Sequence, residues 1–498
     1  MPISHARDHT GAATSRRTTL LSALTGIFAL RLLALYLNRT DLFVDEAQYW
    51  SWSLTPAFGY YSKPPLIGWL IAGARWIGGD SEFCIRFPSL ICHMMTAALI
   101  YPIGKRLYGE TTGFWSAVVY ATLPGVSVSA GVISTDAPLL TCWALALLAF
   151  IELLEAPSWP AAAVLGLALG IGLNAKYAMA YFILGIAVFL IVAPSRRTAL
   201  RDSRLWAALA IGFLLIVPNL VWNATTGFVT FAHTAEKSHW GRVPLHPLEA
   251  VQFVLFQFGV FGPLFFAALL SFLWRKRRSY RALAEADRLL LAFTLPVLII
   301  ILLQALLFHA QANWTAVSYV SATVLVTSVL LRERANRWFR AGLGLNIAIA
   351  VLIGMATWQA GNFALPWIGD PLARSLGNRE LAAEVRAELA AATAAAQPFR
   401  AIASDERKVT AALLYYLRDA DLPIRAWRRG GRPRDEFELS RPFVPGTPEP
   451  VLMVSTKDRL FGVREHFREV VALRTRQTAA GRFESHPLHL YRLSGYAP

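Results

Sequence analysis

The chain has 498 residues, 55% of them hydrophobic and only 16% charged, with a mean hydropathy of +0.43. That balance excludes a soluble globular protein, because the first 360 positions are dominated by apolar runs near the ~20 residues that a bilayer requires. The formal charge of +16 would suit a nucleic-acid binder, but outside the tail the arginines sit in short loops between apolar runs. There they set orientation, and nucleic acid is not expected as a partner.

Arg16 and Arg17 precede an apolar stretch at 20–37, and no small-residue cleavage site follows, so it reads as an uncleaved first span. Further spans are predicted at 87–104, 113–130, 137–154, 160–174, 177–193, 205–222, 251–273, 289–308, 314–331 and 340–358, about 11 in all. With the N-terminus inside, the loops around 105–106, 196–204, 275–288 and 332–340 carry most of the loop arginine and lysine. The opposite side holds only Arg39, Lys63, Arg75, Arg86, Lys176, Lys237 and Arg242. This is the bias of the positive-inside rule, and it puts the C-terminal segment outside. Arg31, within the first span, calls for a partner that the sequence does not name. Cys84, Cys92 and Cys142 lie in apolar segments with neither disulfide nor metal-ligand spacing, and read as packing residues.

The chemistry-bearing residues fall on the outward side. Loop 38–86 holds adjacent acids Asp45 and Glu46, then Lys63-Pro64-Pro65, among Trp50, Trp52, Tyr60, Tyr61, Trp69 and Trp76. Such aromatic density suits a segment in the headgroup zone. A second acid, Asp136, stands in Ser134-Thr135-Asp136-Ala137-Pro138; the next outward turn holds Asn174-Ala175-Lys176-Tyr177. A longer loop, 223–250, carries His233, Glu236, Lys237, His239 and Arg242, and His309 precedes the tenth span.

Carboxylates and cations at an outer membrane face fit group transfer from a lipid-phosphate donor. A carboxylate can take the proton of an attacking hydroxyl, and lysines and arginines can stabilise the departing phosphate. No phosphate-binding glycine loop is present. Each residue also has a plainer reading. Asp45 or Asp136 could cap a helix, Lys176 could snorkel to the interface, and the 223–250 loop could simply be solvated.

Asp45-Glu46-Ala47-Gln48-Tyr49, Tyr61-Ser62-Lys63-Pro64-Pro65-Leu66 and Thr135-Asp136-Ala137-Pro138-Leu139 together resemble the bacterial branch of the GT-C glycosyltransferases. That group is related to protein O-mannosyltransferases and to the aminoarabinose and galacturonate transferases of lipopolysaccharide. Trp222-Asn223-Ala224 and Ala312-Asn313-Trp314 are similar to the same group. The resemblance implies an inverting transferase that moves one sugar from a polyprenyl-phosphate donor to a hydroxyl of a glycolipid such as lipid A. Asp45 would be the base, Asp136 would assist and Glu46 would shape the site. Lys63, Lys176, Tyr61, Lys237, His239, Arg242 and His309 would be the substrate-binding set. Transfer to protein Ser/Thr, or lipid-sugar transport, are the rival readings. In the aminoarabinose transferases a glutamate that takes part in metal binding precedes the Pro-Pro lysine. Here that position is Ser62, and a divalent metal is left open. The implied setting is a bacterial inner membrane, with the active face and C-terminal domain periplasmic.

The expected architecture is thus an all-α polytopic membrane domain of GT-C type at 1–360, and a small extracytoplasmic α/β domain at 361–498. In the latter, Glu380–Ala396 and Val409–Leu417 read as helices, and Phe399–Ala403, Val451–Val454 and Leu488–Leu493 as strands. The cluster Arg425, Arg428, Arg429, Arg432 and Arg434 suits either an acidic glycolipid or plain solvation.

Overall fold

The computed structural model describes residues 6–232, 245–366, 369–458, 460 and 462–497. They form two compact units. The first gathers Met1–Tyr36, Pro64–Ile67 and Arg86–Gly354, and the second Leu37–Lys63, Gly68–Ile85 and Met355–Pro498. The first outward loop therefore folds with the C-terminal segment.

Among the described residues the regular elements of the first unit are helices, and every predicted span position carries helix. Among the described residues six helices are long and apolar enough to cross a membrane, or seven if one bent pair is a single span, against the eleven expected. The difference lies in length. Trp159–Ala175 has 17 residues and Ser318–Arg332 has 15; at ~1.5 Å per residue both fall short of ~30 Å of hydrocarbon. Asp136–Glu155 is the most enclosed candidate, with 78% of its apolar window buried, against 11% for Asn336–Trp358. Around it Trp143 packs edge-on against Phe182, and Phe150 against Phe189 and Phe293.

The predicted span at 251–273 is broken. Pro247–Phe261 and Pro263–Lys276 are bent by 119° at their junction, because Gly262 adopts φ 88° and Pro263 has no N–H to continue the ladder. The partner of Arg31 is also a break. The helices Glu110–Thr122 and Pro124–Ser129 are interrupted at Leu123. The Arg31 guanidinium donates to the carbonyl of Ala121 and, at 3.2 Å, to the Ser127 hydroxyl. A cation at orphaned carbonyls of a helix C-terminus is favourable.

Trp159–Ala175 lies against Ser203–Thr225 through a small-residue seam. A Cβ on Gly166 would come within 2.7 Å of Ile211, and one on Gly170 within 2.5 Å of Leu215, so only glycine allows this approach. The close seam lets Asn174 donate to the Leu215 carbonyl at 2.9 Å, which fixes the end of the helix just before Lys176.

In the second unit a five-stranded sheet has the order β2-β1-β3-β5-β4. The strands are β1 Ala401–Ser404, β2 Ile424–Ala426, β3 Val451–Ser455, β4 Phe467–Ala480 and β5 Glu484–Tyr496. β1 pairs parallel with β2 and β3, while β5 runs antiparallel to β3 and β4. β1 and β3 are buried along their whole length, as continuous apolar central strands should be. Helices Asn378–Ala394 and Arg407–Tyr416 accompany the sheet. The loop helix Val44–Ser53 meets Arg407–Tyr416 edge-on through Trp50 and Tyr415, ring centres 5.1 Å apart. Leu42 N–H donates to the Tyr416 hydroxyl at 2.8 Å, and the Tyr415 hydroxyl to the Asp80 carbonyl at 2.7 Å.

Candidate active site

Two polar clusters, one in each unit, contain several of the residues singled out by sequence. In the second unit Asp45 lies in the first turn of Val44–Ser53, next to Glu46. Their environments differ sharply. Glu46 is buried, and its Oε2 accepts the Phe43 N–H at 2.9 Å, so this carboxylate caps its own helix. Asp45 keeps 45% of its side-chain surface exposed and is held by Arg407, whose Nη2 lies 2.6 Å from Oδ1. The other arm of the same guanidinium, Nη1, donates to Gln48 Oε1 at 2.8 Å. Asp45 and Gln48 are three residues apart and share a helix face, which is how one planar fork reaches both. Asp45 is thus oriented, ionically paired and open to solvent. Capping, the plainer reading of Asp45, belongs instead to Glu46.

The Lys63 turn is built from aromatic packing. Tyr60 stacks on Trp52 with ring centres 4.5 Å apart, and its N–H donates to the Lys63 carbonyl at 3.1 Å. Lys63 is half-buried, before two buried prolines that stiffen the chain. Tyr61 is buried and tied twice to the C-terminal segment: its N–H donates to Glu436 Oε2 and its hydroxyl to the Pro433 carbonyl, both at 3.0 Å. Burial pushes the Glu436 carboxyl up to about 7, although the Tyr61 N–H pulls the other way. Asp41 is pushed up to about 6, again by burial, partly offset by the Arg379 N–H. Its Oδ2 accepts from Asn378 N–H at 2.9 Å and from Arg379 N–H at 3.2 Å, capping Asn378–Ala394.

In the first unit Asp136 opens the helix Asp136–Glu155 and is buried. Lys176 Nζ donates to its Oδ1 at 2.6 Å, and Asn313 Nδ2 to its Oδ2 at 2.7 Å. The helix N-terminus adds further positive potential. Lys176 sits at the C-cap of Trp159–Ala175, and the next residue, Tyr177, donates to Asn219 Oδ1 at 2.7 Å and stacks on Phe231. Lys176 is therefore an ion-pair partner of the second acid. His309 is largely exposed, with Nδ1 3.3 Å from Glu249 Oε2. Lys237, His239 and Arg242, with His233, lie outside the described residues.

Arg407, Gln48 and Glu436 were not among the residues chosen from sequence. Only Gln48 carried a signal, through its three-residue spacing from Asp45; the other two act across more than 350 positions. Among the described residues no three His, Cys, Asp or Glu side chains form a metal-ligating group.

Residues 62–222 match the family model described as dolichyl-phosphate-mannose-protein mannosyltransferase. Over 483 residues, 96% of this chain and 98% of the relative, the sequence is 34% identical to lipid A galacturonosyltransferase RgtD of Rhizobium johnstonii. Over 158 residues it is 29% identical to the undecaprenyl phosphate-alpha-4-amino-4-deoxy-L-arabinose arabinosyl transferase of Yersinia pestis, covering 30% of this chain and 28% of that one. The fold is similar to ArnT from Cupriavidus metallidurans bound to undecaprenyl phosphate. The TM-score is 0.64 and the identity 14%, over 96% of this chain and 98% of that one.

Proposed function

Given that the chain belongs to the GT-C glycosyltransferases related to the protein O-mannosyltransferases and uses a polyprenyl-phosphate-linked sugar, we propose that it transfers a single sugar to a hydroxyl of lipid A, with inversion. Near-full-length likeness to a lipid A galacturonosyltransferase supports the glycolipid acceptor over a protein one, and supports galacturonate as the sugar. The site is proposed to face the periplasm of a bacterial inner membrane, on the charge bias of the loops. Exposed Trp69, Trp76 and Ile77 on the helix Leu66–Gly78 suit contact with membrane lipid.

The observation that carries the mechanism is the state of Asp45: accessible, yet held in one orientation by Arg407. In the proposed step Asp45 accepts the proton of the acceptor hydroxyl as that oxygen attacks the anomeric carbon. The anomeric carbon–oxygen bond to phosphate breaks, its electron pair leaves with the polyprenyl phosphate, and Lys63 offsets the charge. Asp136 assists and Lys176 binds phosphate, the roles their motif positions imply. Mass spectrometry of lipid A from cells with and without the protein is expected to show one added sugar. Asp45→Asn is expected to fold and bind donor but not transfer. Near-native turnover by that variant would remove Asp45 from the mechanism, and unchanged lipid A would remove the acceptor assignment.

A further inference from the structure

The basic segment Trp427–Arg434 is tied to the Asp45 loop directly through Pro433 and indirectly through Asp405 and Glu436, all within the second unit. Arg429 Nη2 donates to Asp405 Oδ2 at 3.0 Å, two residues before the Arg407 that holds Asp45. Pro433 accepts the Tyr61 hydroxyl, and Glu436, just beyond the segment, accepts the Tyr61 N–H; Lys63 follows two residues later. Between these ties the chain makes a Gly430-Gly431 turn, closed by Arg428 donating to the Gly431 carbonyl. Arg428 and Arg432 are exposed on either side of it.

Its position in the sheet is the second observation. The segment leaves the carboxyl end of β2, and Asp405 stands at the carboxyl end of the parallel neighbour β1. Loops at the carboxyl edge of parallel strands are where open α/β sheets bind ligands. Here Asp405 Oδ1 and the Trp427 indole Nε1 are buried with no hydrogen-bond partner among the described residues.

We propose that this turn is the acceptor-binding element, with Arg428 and Arg432 taking the phosphate groups of a phosphorylated glycolipid. Guanidinium binds phosphate by paired N–H donors, with geometry as well as charge. The inference rests on the function proposed above but is read by binding, so the two can fail separately. The full-length protein in detergent is titrated with lipid A, and with lipid A stripped of its phosphates. Wild type is expected to bind the phosphorylated form more tightly, and Arg428→Ala/Arg432→Ala to lose about tenfold in affinity for that form alone. Where turnover is measured, the acceptor KM rises while the donor KM stays as in wild type. Equal affinity of wild type and variant for lipid A would overturn the proposal. So would an equal loss for the stripped form, or a loss confined to phosphatidylglycerol vesicles, which would make the turn a membrane-surface contact. Inorganic phosphate that competes as well as lipid A would also overturn it. Should the transferase reading fail and the binding difference persist, the turn remains a phosphoglycolipid site.

Discussion

Arg407 bridges Asp45 and Gln48 with the two arms of one guanidinium, at 2.6 and 2.8 Å. A carboxylate poised this way faces its target without searching rotamers, and the ion pair remains wet enough for substrate to approach. Arg407→Ala is expected to lower kcat about 100-fold through misplacement of the base, with the donor KM little changed. Arg407→Lys, a point charge that cannot span both partners, is expected to recover only part of the rate. A variant with unaltered kcat would reduce the bridge to a fold contact.

Much of this was legible from residue patterns, for physical reasons. Apolar runs placed helix at every span position because burial in lipid leaves few other options. The buried strands β1 and β3 were readable as short apolar runs. β4 was missed, since its exposed face alternates charge and its sequence, Phe467-Arg-Glu-Val-Val-Ala-Leu-Arg-Thr-Arg, lacks a clean period. The bend at Gly262-Pro263 was signalled by a breaker pair inside an apolar run, but hydropathy averages over it. At the site, Asp45 and Asp136 stood out as acids at helix starts. Their partners Arg407 and Asn313 did not, because nothing local ties residues 362 and 177 positions apart.

Asp136, Lys176 and Asn313 form a mostly buried triad. Lys176→Met removes the cation bonded to this buried carboxylate and is expected to destabilise the helical unit by about 2–4 kcal/mol, discounted for partial exposure. Adding Asp136→Asn is expected to restore most of that stability without restoring transfer. Thermal melts and sugar-transfer assays on the same detergent-solubilised samples separate the two effects. A double variant that melts as low as Lys176→Met would mean that the pair is not the source of the loss.

Gly262 supports the bend between Pro247–Phe261 and Pro263–Lys276. A side chain there meets strain at φ 88°, and its Cβ would overlap the Asn346 amide. Gly262→Ala is therefore expected to cost about 2 kcal/mol or more. Gly259, where an added methyl would meet nothing within 4 Å, is the control, and its alanine variant is expected to melt at or slightly above wild type. Equal melting temperatures for the two variants would argue that the bend is not set at Gly262.

Acid is expected to stabilise the second unit, opposite to the usual carboxylate behaviour. Asp41 titrates at about 6 against an ordinary 3.8, and Glu436 at about 7 against 4.5, both because burial disfavours their ionised forms. Between each pair of values the folded chain holds a proton that the unfolded chain has released, so stability falls as pH rises through that window. The contribution is complete below the unfolded values and gone above the folded ones. Glu406 and Asp80, whose carboxyls are held low, act in the opposite sense, but only below the ordinary carboxylate range. From about pH 7 down to about pH 5 the contribution of these two carboxyls to the melting temperature of the full chain is expected to climb. Glu436→Gln should flatten the upper part of that climb and Asp41→Asn the lower part. Glu436→Gln and Asp41→Asn variants whose melting temperatures run parallel to wild type over the same range would show that these two carboxyls are ionised in the folded chain.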